Sequence, residues 1–118
     1  MPIEVKKDPR YRVKKSFLKK ACLRILKDLS VQPEVSVGVA LVGKRKAQSL
    51  NQEYRKQDYV PLVLSFPYRQ DMPDSNYFLG EVLICFPLAR EKAIRENQTI
   101  EKALVELLDH GLKNLILK

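Results

Sequence analysis

The chain has 118 residues, 45% of them apolar and 31% charged, with 4 Gly and 22 Lys+Arg against 14 Asp+Glu. That length and composition describe one domain, residues 1–118, with a modest core, and they exclude a disordered or fibrous chain. The formal net charge of +8 is unevenly placed: residues 1–56 hold 15 Lys/Arg and 5 Asp/Glu, a net +10, whereas residues 57–118 hold 7 and 9, a net −2. A cationic half of this kind points to a polyanion, with nucleic acid ahead of an anionic membrane surface.

Residues 3–5 suit a short edge strand, and the charged stretch from Lys6 to Arg12 is broken by Pro9. From Lys14 to Leu29, the residues Phe17, Leu18, Ala21, Cys22, Ile25, Leu26 and Leu29 recur in pairs every four positions, which predicts a helix with one packed and one basic face. Val35, Val37, Val39 and Leu41 then alternate with Ser36, Gly38, Ala40 and Val42. This is a strand pattern, and its small-residue face is expected under a closely packed helix. Gly43 ends the strand, and Lys44-Arg45-Lys46 opens a second helix that continues through Ala47, Leu50 and Tyr54. Cations in a first turn oppose the helix dipole, a cost that an external anion relieves.

Leu62–Phe66 predicts a strand stopped by Pro67, and Pro67–Tyr77 predicts a loop. Phe78 to Phe86 resumes as a strand, and Pro87 opens a helix running to about Asn97. Thr99 caps a last helix whose apolar stripe is Ile100, Ala103, Leu104, Leu107, Leu108, Gly111, Leu112, Leu115 and Ile116. The order βαβαββαα predicts an α+β fold in which a small mixed sheet of about four strands is covered by about four helices.

No apolar run approaches the roughly 20 residues of a membrane span, and the first residues lack the apolar segment of a secretory signal. The expected location is the cytoplasm, with no membrane partner. Cys22 and Cys85 lie far apart in apolar stretches, so both are expected as buried, reduced thiols. The only histidine, His110, shares one flank of the last helix with Glu106 and Asn114. Two histidines spaced i and i+4 can grip one zinc ion, but Asn114 takes the second position here. A single histidine in an amphipathic helix is more often structural than a ligand. Composition and spacing alone describe a basic α+β domain that binds nucleic acid.

Four segments are more specific. Leu50-Asn51-Gln52-Glu53-Tyr54-Arg55-Lys56-Gln57-Asp58 is followed by Val63-Leu64-Ser65-Phe66-Pro67, then by Leu79-Gly80-Glu81-Val82-Leu83-Ile84-Cys85, then by Asp109-His110-Gly111-Leu112. In this order they resemble the YbeY family of rRNA maturation endoribonucleases. The family pattern runs L-N-x-x-Y-R-x-x-D, V-L-S-F-P, L-G-D-[IV]-x-I-[CS] and the start of the zinc motif H-G-x-L-H-L-x-G-Y-D-H. The resemblance implies a metal-dependent endoribonuclease that cuts single-stranded RNA in small-subunit rRNA maturation and ribosome quality control. Its implied partners are ribosomal RNA and the small subunit.

Residue by residue, the resemblance places Arg55 at the family's arginine near the metal, where a guanidinium would clamp a scissile phosphate. His110 matches the first of three zinc-binding histidines. The second falls at Asn114, whose amide oxygen is a weak zinc ligand, and the third falls beyond Lys118. Pro61-Leu62 stands where the family carries Thr-Asn, and Glu81 where it carries Asp. The carboxylates Glu106 and Asp109 read as ordinary helix-surface residues. The alternative reading is a catalytically inactive or weakened relative that binds rRNA or the ribosome through its basic N-terminal half. Its phosphate contacts would come from Lys19, Lys20, Arg24, Lys44, Arg45, Lys46, Arg55 and Lys56. Tyr54, Tyr59 and Tyr68 are candidates for stacking on bases, with packing against the protein as the competing role.

Overall fold

The structure, a computed structural model, describes residues 2–68 and 78–117. Its elements are β1 (Ile3–Lys6), α1 (Lys15–Asp28), β2 (Ser36–Val42), α2 (Lys44–Arg55), β3 (Val63–Pro67), β4 (Phe78–Cys85), α3 (Phe86–Arg95) and α4 (Ile100–Ile116). The sheet order is β1-β2-β4-β3, with β1, β2 and β4 parallel and β3 antiparallel to β4. This is the mixed four-stranded sheet with four helices that the periodicities predict. Of the predicted loop 67–77, residues 69–77 lie outside the described residues.

Strand alternation sorts the side chains onto two faces. Ile3 and Val5 of β1, Val37, Val39 and Leu41 of β2, and Val82 and Ile84 of β4 share one face. They form a single core with Leu18, Cys22, Ile25 and Leu26 of α1 and Leu104, Leu107, Leu108, Leu112 and Leu115 of α4. Burying each large aliphatic side chain contributes about 1.5–3 kcal/mol, so this face supplies the main drive to fold. Thr99 caps α4 as expected, its Oγ1 accepting from the Lys102 N–H at 3.1 Å. Three connections leave a helix through a left-handed residue that is not glycine, at Ser30, Lys56 and Asn97.

Two local outcomes differ from expectation. The strand ends at Pro67 as expected, but Pro67 is itself its last residue, paired with Gly80. The Tyr68 N–H donates to the Leu79 carbonyl at 3.0 Å, so the intervening Pro67 nitrogen faces away from β4, and no ladder bond needs its missing N–H. The small-residue face of β2 is the second difference. Gly38 and Ala40 do lie opposite the core, but α2 covers only the far end of that face, and Ala40 looks into an open trough. Gly38 is small because the Glu81 side chain lies across it: a Cβ there would come within 2.9 Å of Glu81 Cγ.

Gly80 fixes how β3 meets β4. Its φ of +139° is a backbone conformation that side chains disfavour, and a Cβ would sit 2.2 Å from the Phe66 carbonyl oxygen.

Candidate functional site

The segments singled out in the sequence converge on the edge strand β3, approached by α2 from one face of the sheet and by α4 from the other. Phe66 shares its face with Glu81 and Leu83, and Tyr54 of α2 meets it edge-on with ring centroids 5.2 Å apart. Ser65 points the opposite way, and its Oγ donates to the Gly111 carbonyl of α4 at 2.7 Å. Arg55 is exposed in the last turn of α2, and His110 is exposed on α4 beside Gly111. The helices that carry these two residues therefore lie on opposite faces of the sheet at this edge.

Asn51 is the residue that sequence reasoning undervalued. It is fully buried, and its Nδ2 donates to the Tyr59 carbonyl at 3.0 Å, while its own carbonyl accepts from the Gln57 N–H at 3.3 Å. These bonds fold the segment after Lys56 back onto α2, just beyond Arg55. Its Oδ1 has no partner among the described residues. A polar residue at that position within an otherwise apolar helix stripe is the sequence signal that marks it.

Gly111 lets α4 approach the sheet at this edge. A Cβ there would come within 2.5 Å of Val82 Cγ1 and 3.1 Å of Val63 Cγ2. The carboxylates nearest His110 in sequence are engaged elsewhere. Glu106 accepts from Lys92 at 3.0 Å and from Gln98 at 2.7 Å, bonds that hold its carboxyl below the ordinary range. Asp109 pairs with Lys113 at 2.9 Å.

The cations of the N-terminal half are spread over several surfaces. Lys19, Lys20 and Arg24 line the exposed side of α1, Arg45 and Lys46 are exposed in the first turn of α2, and Lys56 follows its last turn. Lys44 already has an internal partner, Glu91 of α3 at 3.0 Å, which offsets part of the dipole cost expected in that turn. Tyr54 is 61% exposed despite its contact with Phe66, and Tyr68 meets Phe78 edge-on at 4.9 Å. Both cysteines are buried and unpaired with each other, as expected, and burial pushes the Cys22 thiol up to about 12. No helix among the described residues is long and apolar enough to cross a membrane.

A family model described as Endoribonuclease YbeY matches residues 4–116. An Endoribonuclease YbeY of Acinetobacter baylyi is 31% identical over 116 residues, covering 93% of this chain and 72% of the relative. One of Thermodesulfovibrio yellowstonii is 36% identical over 80 residues, covering 68% of this chain and 50% of the relative. The solution structure of TM1509 from Thermotoga maritima superposes with a TM-score of 0.65 at 32% identity, covering 96% of this chain and 71% of that one. An α+β protein of an endoribonuclease class is thus defined by fold and motifs together. The chain belongs to the YbeY family.

The family's chemistry implies a metal ion, and the donors among the described residues do not fit one. Among the described residues no three His, Cys, Asp or Glu side chains form a group able to hold a metal. His110 has a half-buried Asn114 at the next position on its flank, and the neighbouring carboxylates are bonded to lysines and Gln98.

Proposed function

We propose that this chain is an endoribonuclease of cytoplasmic small-subunit rRNA maturation and ribosome quality control, acting on single-stranded RNA. The observation that carries the reading is the convergence of its family motifs on the β3 edge, where Ser65 ties the His110 helix to the strand and Asn51 anchors the segment that follows Arg55. The Arg55 guanidinium is an exposed, permanently charged fork suited to two oxygens of one phosphate. His110 offers an imidazole as proton donor or acceptor on the other side of the same edge. The basic surfaces of α1 and α2 supply sequence-independent phosphate contacts. Because the donor set does not fit a catalytic zinc, no step is assigned to a metal.

The test pairs metal content after purification with cleavage of a single-stranded RNA and of its duplex, each with added zinc and with a chelator. The expected result is cleavage of the single strand alone, abolished by Arg55→Ala and by His110→Ala. Cleavage that survives both substitutions overturns the site. Tight RNA binding with no cleavage under any of these conditions overturns the enzymatic reading and leaves a ribosome-binding relative.

A further inference from the structure

The face of the sheet opposite the core holds a trough of about 860 Å³ between α2 and strands β1, β2, β4 and β3. That volume lies within the range of sites that seat a small organic ligand. The register sets its floor in two rows. Phe66 and Glu81 lie side by side in one, and Leu83, Ala40 and Lys6 in the next. Lys46, Leu50 and Tyr54 recur every fourth residue along α2 and form the facing wall. The trough thus has a largely apolar floor, an aromatic wall, cations at the margin and one carboxylate, Glu81, in the end row beside Phe66.

The charges are arranged by depth. Lys6, Lys7 and Lys46 stand at the margin, with Lys7 Nζ donating to the Tyr11 carbonyl at 3.1 Å and Lys6 3.4 Å from Glu4. Asp8, the other acid of the lining, is occupied by Arg10 at 2.7 Å, whose hydrogen bonds hold its carboxyl down at about 2. Among the described residues no cation lies in salt-bridge contact with Glu81. A phosphate is repelled by the floor and attracted by the rim, whereas Glu81 calls for a ligand that presents only donors to it.

We propose that this trough seats one nucleotide of a single RNA strand, with the phosphates at Lys6, Lys7 and Lys46, the base against Tyr54 and Phe66, and its Watson–Crick edge on Glu81. Of the four bases only guanine meets a carboxylate with two adjacent donors, N1–H and the N2 amino group. Adenine and cytosine set a ring acceptor beside their amino group, and uracil flanks its single N–H with two carbonyls. The trough is therefore a guanine-selective subsite, reached only by an unpaired base. This inference rests on the RNA-directed reading above, and it uses neither Arg55 nor His110.

The test measures anisotropy of fluorescein-labelled seven-residue RNAs, all uridine or with one central G, A or C, at low salt. The expected result is about tenfold tighter binding of the strand with central G. Glu81→Gln removes the preference for G, bringing the four affinities level. Lys46→Glu and Tyr54→Ala, both at exposed positions, each weaken the central-G strand about tenfold. Equal binding of all four strands by the unmodified protein, a G preference that survives Glu81→Gln, or unchanged affinity in the Lys46 and Tyr54 variants overturns the proposal. If the protein binds RNA while these trough substitutions change nothing, this inference fails alone. If it binds none of the four strands, the RNA-directed reading fails with it.

Discussion

Ser65 Oγ donates to the carbonyl oxygen of Gly111 at 2.7 Å, a bond between an edge strand and a helix 46 residues further along the chain. It ties the Leu-Ser-Phe-Pro segment to the Asp-His-Gly-Leu segment. Gly111 makes the bond possible, because any side chain there would be driven into Val82 and Val63. Ser65→Ala is expected to lower stability by about 1 kcal/mol, the usual worth of one such bond. Gly111→Ala is expected to cost about 2 kcal/mol, since overpacking against the sheet outweighs the gain in helix propensity. Urea unfolding measures both, and a Gly111→Ala protein more stable than the parent contradicts the packing argument.

Gly80 is the stricter case. Its positive φ, and the Phe66 carbonyl oxygen that an added Cβ would strike, both involve backbone, so no rotamer change relieves them. Gly80→Ala is expected to lose about 3 kcal/mol or more, combining conformational strain with separation of β3 from β4. The readout is the midpoint of thermal or urea unfolding.

Lys56 offers the opposite sign. It ends α2 in the left-handed conformation, with φ of 59°, where glycine carries no steric penalty. Lys56→Gly is expected to raise stability by about 0.5 kcal/mol after the extra entropy of the unfolded chain is discounted. The same substitution removes a cation from the proposed RNA-facing surface, so RNA affinity should fall as stability rises.

The buried Cys22 thiol makes alkaline stability a direct test of the core. Burial raises its pKa from the ordinary 9.0 to about 12, so the folded state holds a proton that the unfolded chain releases first. The thiol's contribution is fully present below pH 9 and is lost progressively as the pH climbs toward 12, at about 1.4 kcal/mol per pH unit while the two states differ by one proton. Unfolding free energies from pH 8 to 11 should fall more steeply for the parent than for Cys22→Ala. A thiol reagent should modify Cys22 only after denaturant is added.

The element order was legible because each helix and strand carries its own period. The paired spacing of Leu18, Cys22, Ile25 and Leu26 admits only a helix, and the alternation of Val37, Val39 and Leu41 only a strand. Strand order was not legible, because β2 pairs with β1 and β4 through contacts far apart in sequence. That gap explains the misread small-residue face: Gly38 and Ala40 signal a close approach, but only the register reveals that Gly38 makes room for Glu81. Arg55 and His110 were found through neighbouring motif residues. Asn51 and the trough needed the fold, since burial of one amide and the alignment of Lys46, Leu50 and Tyr54 over a sheet face are three-dimensional facts.

The parallel pairing of β2 with both β1 and β4 also orders events during synthesis. When β2 leaves the ribosome β1 is already available, but β4 follows only after α2 and β3, and the α4 residues that complete the core shared with Val37 and Val39 come last. Sheets assembled from such distant pairs close late. The strongly cationic first half therefore emerges beside a polyanionic ribosome before it can bury its own strand, and it acquires its shape only when the nearly neutral second half arrives.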